Sequence, residues 1–263
     1  MMFAAAVALV AGCSEDLTSD VMVGPNGSEN VSAVADGISL EVSVEDVTRV
    51  TITGDKVNDA SAFAWEVGDE ITLVHNGNSH VFVAVTGGKT AVFNAKGAEN
   101  VLSAVDASEP VAVFYNVKDV DKAAMTATFD VAAEQTAGEL TNKMPLYAYN
   151  ATTAVVENKI SFKMSPLASV VDFELTANKT WNADALSLEP SFSENGTYVV
   201  ASGVTVNAAT GAISLANATV GKKVTVSLGS AVDFATTRNV QAVVMGLTYE
   251  KTEDALYAPV YHG

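Results

Sequence analysis

Few side chains in this sequence could do acid–base or metal chemistry. Its histidines are His75, His80 and His262, and a hydrolase triad would need one of them as its base. None of the three lies in a recognisable nucleophile motif. His75 and His80 flank an Asn-Gly turn and could approach each other across a hairpin, but two histidines without a third ligand make a poor zinc site. The sequence therefore predicts neither a catalytic centre nor a bound metal.

The acidic residues form no familiar catalytic or ligand pattern either. Asp119 with Asp121, and Asp55 with Asp59, lack the ladder of oxygen ligands that a calcium-binding loop requires. No glycine-rich phosphate loop precedes a helix, and no pair of carboxylates stands out as a glycosidase pair. We therefore expect a protein that is not an enzyme and that holds no cofactor.

The single cysteine suggests a lipid attachment. Residues 1–10 are apolar and lead into Val10-Ala11-Gly12-Cys13, which resembles a bacterial lipobox. The lipoprotein signal peptidase would cut between Gly12 and Cys13 once the Cys13 thiol carries diacylglycerol, and each buried acyl methylene adds about 0.8 kcal/mol of membrane affinity. A signal peptide ordinarily opens with lysine or arginine, and none stands here, so the start of translation is expected a few residues earlier.

Charge and composition narrow the class of protein and its partners. The chain has 263 residues, with 31 acidic and 14 basic side chains and a formal net charge of -17. This charge disfavours binding of nucleic acid and of anionic lipid surfaces. No apolar run reaches the roughly 20 residues of a membrane-spanning helix. Valine, alanine and threonine dominate, as in pleated sheets. These features predict an all-β protein with no nucleic-acid partner.

Residues 14–36 are polar and acidic, without apolar periodicity, and are predicted to be a flexible linker. Acidic residues directly after a lipidated cysteine resemble the export signal of some Gram-negative anaerobes, which sends lipoproteins to the outside of the outer membrane. The expected location is therefore the outer membrane, on the cell surface.

The first regular element follows this linker. Ile38, Leu40, Val42 and Val44 alternate with polar residues, which is the pattern of a strand with one buried face. A second alternating run begins after Arg49, the only arginine before Arg238. The arrangement fits an ordinary first strand, and it also fits a strand that can be exchanged.

A specific motif lies in Ala62 to Val74. Trp65, Gly68, Asp69 and Ile71 match W-x-x-G-D-x-I, and the chain here resembles the fimbrillin-like proteins, which are subunits of type V pili. Gly68 is expected to adopt a turn conformation closed to other residues, and Asp69 to cap that turn. Trp65 fits a core position better than it fits the alternative, a surface ligand platform.

The resemblance extends through further short segments. They are Phe129–Val131 followed by Glu134-Gln135, Met144–Ala148, Ile160–Met164 and Leu167–Leu175. It implies two tandem β-sandwich domains of transthyretin-like or Greek-key type. Together, the lipobox, the linker and this resemblance divide the chain into four parts: a signal peptide (1–12), a linker (13–36), an N-terminal domain (37–157) and a C-terminal domain (158–263).

The resemblance also implies a mechanism of assembly. In such pili a protease removes the first strand, and a strand of another subunit fills the groove. Here the removable strand would be Ile38–Val44, the cut would follow Arg49, and the donor candidate is Val240–Tyr249 or an internal strand. Arg49 is equally consistent with a charged residue at a strand end, in which case the uncut chain would be a lipid-anchored basal subunit.

A competing class is a surface lipoprotein that binds glycans or host ligands and never polymerises. Such proteins display exposed aromatic side chains on one face. The candidates here are Trp181, Tyr198, Tyr257 and Tyr261. Clustering of these aromatics in solvent would favour binding, and their burial would favour the pilus subunit.

Overall fold

The computed structural model describes residues 21–22, 31–34, 37–45, 49–51, 63–137, 144–176, 182–189, 198–233, 235 and 238–245. Within these ranges the chain forms twenty β-strands and one turn of 3-10 helix, Ala98–Asn100, and it contains no α-helix. The predicted all-β fold is therefore confirmed. No helix in these ranges is long and apolar enough to cross a membrane.

The strands are numbered in chain order. The first ten are β1 (Val21–Met22), β2 (Val31–Val34), β3 (Ser39–Val44), β4 (Arg49–Thr51), β5 (Glu70–His75), β6 (Asn78–Ala84), β7 (Thr90–Lys96), β8 (Val111–Tyr115), β9 (Asp119–Asp121) and β10 (Thr126–Val131). The second ten are β11 (Glu134–Thr136), β12 (Leu146–Asn150), β13 (Lys159–Pro166), β14 (Ser169–Leu175), β15 (Asn182–Leu188), β16 (Val200–Asn207), β17 (Ile213–Ser214), β18 (Thr219–Gly221), β19 (Val224–Asp233) and β20 (Arg238–Val244).

Seven strands form a sheet that closes on itself. Their order is β7-β3-β13-β12-β8-β5-β6, and pairing of β6 with β7 completes the ring. The pair β3–β13 is parallel, and every other pair in the ring is antiparallel. Large side chains on one face of these strands are fully buried and form the core: Leu40, Ile71, Phe82, Phe93, Leu146 and Ile160.

Local sequence explains the hairpins of this ring. Asn76 and Gly77 connect β5 to β6, and both have positive φ, 49° and 70°. That conformation belongs to the two-residue turn whose twist matches paired antiparallel strands, and Asn-Gly is the sequence that adopts it at least cost. Phe82, Val83 and Ala84 in β6 are buried in succession, so both faces of this strand are covered, as its apolar run predicted.

The remaining strands form smaller sheets. One has the order β17-β16-β10-β9 with β18 beside β16, one is β11-β19-β15, and one is β20-β14-β4. Strands from both sides of the predicted boundary at 157/158 share these sheets, since β10 pairs with β16 and β11 with β19. The strands β12 and β13, which lie on either side of the boundary, also pair with each other. The division into two sandwiches stays a prediction.

Part of the predicted linker is built into the sheet. β1 and β2 lie within residues 14–36, and β2 pairs with the end of β7. Ala95 of β7 pairs with Val34 on one edge and with Phe82 on the other. Phe93 of β7 likewise pairs with Leu40 of β3 on one edge and with Ala84 of β6 on the other. β2 and β3 therefore pair with the same edge of β7, one after the other, and β6 pairs with the opposite edge.

Candidate strand-exchange site

The strand predicted to be exchangeable lies inside the closed ring. Leu40 and Val42 of β3 are fully buried, and Ile38, which precedes the strand, is 5% exposed. Ser39, Glu41 and Ser43 alternate with them and are half-buried. The period of two in the sequence therefore predicted the buried face correctly at these three positions, and Val44 is partly buried and packs against the core.

β3 has a hydrogen-bonded neighbour along each edge. It runs antiparallel to β7 and parallel to β13, so that Leu40 lies opposite Phe93 on one side and Ile160 on the other. Without β3 the ring would be open, with two unpaired edges and an apolar floor. The buried side chains of the two neighbouring strands that would form the floor are Ala91, Phe93, Ile160, Phe162 and Met164.

Specific contacts fasten both ends of this strand. At its beginning, the Ile38 N–H donates to the Leu102 carbonyl at 2.8 Å and the Ser39 N–H donates to the Asn158 carbonyl at 2.9 Å. At its end, the Glu45 N–H donates to the Met164 carbonyl at 2.8 Å.

The Glu45 side chain also contacts β13 at the end of β3. Its carboxylate accepts a hydrogen bond from the Ser165 hydroxyl at 2.8 Å and lies 3.5 Å from Lys163 Nζ. The ion pair is solvent-exposed and contributes little by itself, so the end of β3 is held chiefly by the hydrogen bonds to β13.

Gly37 controls how the chain enters β3. Its φ is +89°, and a Cβ placed on it would lie 2.9 Å from the Leu102 carbonyl oxygen and 2.9 Å from Val101 Cγ1. A side chain here would meet both an unfavourable backbone conformation and a backbone atom. Glycine is thus required where the chain passes from β2 to β3.

The predicted cleavage position lies just beyond this strand. Arg49 begins β4, which pairs in parallel with β14 and forms one end of the sheet β20-β14-β4. Residues 46–48, between β3 and β4, are outside the described ranges. A cut after Arg49 would fall inside β4, between Arg49 and Val50, and would place β3 and β14 on different fragments. Whether it occurs stays a prediction.

The sequence does not indicate that β13 is a neighbour of β3. The alternation in Ile160–Met164 predicts a strand, and the resemblance places that strand in the C-terminal domain. Parallel pairing of Ser39 with Lys159 joins segments that are distant in the chain, and such pairing leaves no local pattern. The alternation of Ile160, Phe162 and Met164 shows a buried face without showing its partner.

The W-x-x-G-D motif forms a tight turn that leads into β5. The Asp69 N–H donates to the Glu66 carbonyl at 3.1 Å, and the Glu66 N–H donates to Asp69 Oδ2 at 2.8 Å. Gly68 has φ 100°, and its N–H donates to the Ala84 carbonyl at 3.0 Å. The predicted roles of Gly68 in the turn and of Asp69 as its cap are both observed, and Ile71 is buried as expected.

Trp65 is a core residue. It is 2% exposed and packs edge-to-face against Phe63, Phe93 and Tyr115, with ring centroids 4.9, 5.1 and 5.0 Å away. Such geometry is favourable for aromatic pairs. The structure therefore favours the core interpretation of this tryptophan over a surface platform.

Asp69 and Tyr115 form a partly buried polar pair beside this cluster. The Tyr115 hydroxyl donates to Asp69 Oδ1 at 3.2 Å. Burial raises the pKa of Asp69, although the hydrogen bonds from Glu66 and Tyr115 oppose the change. Burial also raises the pKa of the Tyr115 hydroxyl, and the charge of Asp69 adds to this effect. Both groups are therefore held towards their neutral forms.

The histidines of the described region contact different segments. His75 is buried, with Nδ1 3.3 Å from the Pro110 carbonyl oxygen, and its Nε2 accepts from the Asp106 N–H at 3.4 Å. His80 Nδ1 lies 3.2 Å from the Asn100 carbonyl oxygen. Among the residues described, no cluster of three or more histidine, cysteine or acidic side chains could hold a metal ion.

Several predicted site residues lie outside the described ranges. They are Gly12 and Cys13 at the lipobox, His262, Asp55, Asp59, Trp181, Tyr257 and Tyr261. Of the four aromatic residues that would mark a glycan-binding face, Tyr198 alone is described, and it is half-buried.

Comparisons with known proteins give distant matches. No family model matches this chain, and no curated protein sequence does. A structure from Bacteroides uniformis, described as a candidate cell-adhesion protein, is 16% identical over 80% of this chain and 74% of its own length, with a TM-score of 0.48. One from Bacteroides ovatus, described as a candidate adhesin, is 8% identical over 97% and 78%, with a TM-score of 0.35. These values place the chain in no established family.

Proposed function

We propose that this chain is a cell-surface structural subunit, with no catalytic centre, that joins other subunits by exchanging β3. The observation that carries the proposal is the position of β3 between β7 and β13, because a strand paired on both edges leaves a complete groove when it is withdrawn. The lipobox resemblance at Cys13 supports attachment to the outer membrane.

The vacant groove would bind another strand strongly. Burial of Ile38, Leu40 and Val42 contributes about 1.5–3 kcal/mol for each side chain, so an empty groove leaves the fold substantially less stable. The unpaired edges of β7 and β13 would supply main-chain donors and acceptors to an incoming strand.

An incoming strand that copies β3 would run parallel to β13 and antiparallel to β7. In either direction it needs apolar side chains at alternate positions, because the floor of the groove is apolar. The donor candidate Val240–Tyr249 overlaps β20, whose residues pair with β14. Donation of that segment would require β20 to leave its own sheet. If each subunit donated a strand to the groove of the next, the contact would be head-to-tail and would not form a closed ring. Its repetition would therefore produce a fibre.

Cleavage at Arg49 provides the direct test. The chain contains only two arginines, Arg49 and Arg238, so an arginine-specific protease has two candidate sites. Soluble chain beginning at Ser14, with Arg238→Lys to remove the second site, would be digested and examined by intact mass, sedimentation and electron microscopy. We expect a new N-terminus at Val50, followed by polymerisation.

Arg49→Lys in the same background is the matched control, because it keeps the charge and removes the cleavage site. It should stay monomeric under the same digestion. Cleaved protein that remains monomeric, or polymers formed by uncut Arg49→Lys, would contradict the proposal. Cells that carry Arg49→Lys should likewise retain the uncut, lipidated form at their surface.

A further inference from the structure

A polar cavity lies on the outer face of the ring, directly over the pair β3–β13. Its volume is about 530 Å³, and it is open to solvent on one side. The strands supply one side of it, and the segment between β12 and β13 supplies the other. The polar side chains that line it are Glu41, Asn150, Thr152, Glu157, Lys159 and Ser161.

These polar side chains are free to contact a ligand. Within the described part of the chain, none of the six forms a side-chain hydrogen bond or an ion pair. A second concavity of about 430 Å³, beside Asp69, differs in this respect. There Asp69 is bound by Glu66 and Tyr115, and Glu70 pairs with Lys96. The cavity over β3 thus retains more unused donors and acceptors.

The wall of the cavity is fixed by the fold. Val156 and Lys159 exchange two backbone hydrogen bonds, each 2.9 Å, around a tight turn at Glu157 and Asn158. Thr153 is buried, and its N–H donates to the Ala107 carbonyl at 3.2 Å. A preformed wall lowers the entropic cost of binding. Val156 is 65% exposed and adds an apolar surface to this wall.

We infer that this cavity binds a short, uncharged oligosaccharide. Sugar hydroxyls can donate to the carboxylates of Glu41 and Glu157 and accept from Lys159 and Asn150. The apolar C–H face of a sugar ring can pack against Val156. Anionic sugars are disfavoured, because two of the three charged side chains in the cavity are acidic and the chain carries a net charge of -17.

The cavity is complete only while β3 is in place, because Glu41 belongs to that strand. This consequence rests on the proposed function. A ligand that binds the form containing β3 and not the form lacking it must stabilise the first. The saccharide should therefore bind uncut chain in preference to chain cleaved after Arg49, and it should slow the loss of β3.

Saturation-transfer NMR on the uncut chain tests the inference. The probes are lactose, N,N′-diacetylchitobiose and mannobiose, each titrated separately. Glu41→Ala and Asn150→Ala should each weaken binding of the probe that binds by about tenfold, as expected for loss of a hydrogen bond to a ligand in a mostly preformed site. Ser43→Ala is the matched control, because Ser43 is the next outward residue of β3 and does not line the cavity.

Binding that is lost in both cavity variants and kept in Ser43→Ala would support the inference. Failure of all three probes to bind, or binding unchanged by both cavity variants, would overturn it. Glu41 and Asn150 belong to different strands, so a local defect in β3 could not explain both losses. The assay uses uncut monomer, and the polymerisation assay uses cleaved chain, so one result can fail while the other stands.

Discussion

The side-chain amide of Gln135 bonds to both backbone polar groups of Val243. Gln135 Oε1 accepts from the Val243 N–H at 2.9 Å, and Gln135 Nε2 donates to the Val243 carbonyl at 2.7 Å. Nε2 also donates to the Ala132 carbonyl at 3.0 Å. One side chain thus takes the place of a neighbouring strand along the outer edge of β20.

Replacement of this amide should therefore loosen β20. Gln135→Glu keeps the shape of the side chain but places a carboxylate against two carbonyl oxygens, to which it cannot donate. We expect the free energy of unfolding to fall by about 1–3 kcal/mol, measured by urea denaturation. Glu134→Gln, at the exposed neighbouring position, should change it by no more than about 0.5 kcal/mol. Equal effects would show that the bonds to Val243 are unimportant.

Gly37→Ala should destabilise the entry to β3 more than a glycine replacement elsewhere. Gly77 also has positive φ, 70°, but a Cβ there meets nothing within 4 Å. Gly77→Ala should therefore lower the free energy of unfolding by about 1–2 kcal/mol, because alanine disfavours a positive φ. Gly37→Ala should lower it further, because its Cβ also clashes with the Leu102 carbonyl. Thermal and urea denaturation of the two variants would measure the difference. Equal losses would mean that the chain shifts freely at Gly37.

Asp69 should make stability depend on pH in the acid range. Burial holds its folded-state pKa above 3.8, so the folded state binds this proton more tightly than the unfolded state. Its contribution to stability is complete below pH 3.8 and is lost as the pH rises through the folded-state pKa. Asp69→Asn should remove this slope in urea titrations between about pH 3 and pH 6.

Asp106→Asn is the control of opposite sign for this titration. Hydrogen bonds from Ser108 lower the pKa of Asp106, so its contribution is present above pH 3.8 and is lost as the pH falls. Asp106 therefore makes the free energy of unfolding rise with pH in the acid range, and Asp106→Asn should remove this rise. If Asp69→Asn left the profile of the wild type unchanged, the assignment of a raised pKa to Asp69 would be wrong.

Local features of this fold could be read from the sequence. The alternation in Ile38–Val44 placed the buried face of β3, and the spacing from Trp65 to Asp69 identified the turn before β5. Both are decided by residues within a few positions of each other. Periodicity and turn chemistry act over that range, which explains why these predictions succeeded.

Long-range features were out of reach for the same reason. Two such features are the pairing of β6 with β7, which closes the ring, and the parallel pairing of β3 with β13. An alternating sequence shows which side chains of a strand are buried, but it does not show which strand lies beside it. Beyond the resemblance of Glu134-Gln135 to a segment of fimbrillin-like proteins, Gln135 carries no sequence signal, because a side chain that replaces a strand leaves no periodicity. The cavity over β3 likewise combines residues of three segments that are polar and ordinary in isolation.

A synthetic peptide of residues 37–45 should bind chain cleaved after Arg49 and block its polymerisation. It offers Leu40 and Val42 to the vacant groove with the backbone pattern that β7 and β13 accept. A control peptide with serine at both positions keeps the length and the backbone donors but loses two buried side chains. Its affinity, measured by fluorescence anisotropy, should be lower by about 100-fold or more, since each side chain contributes about 1.5–3 kcal/mol. Equal binding of the two peptides would show that the groove does not select side chains, and strand exchange would then lack its source of register.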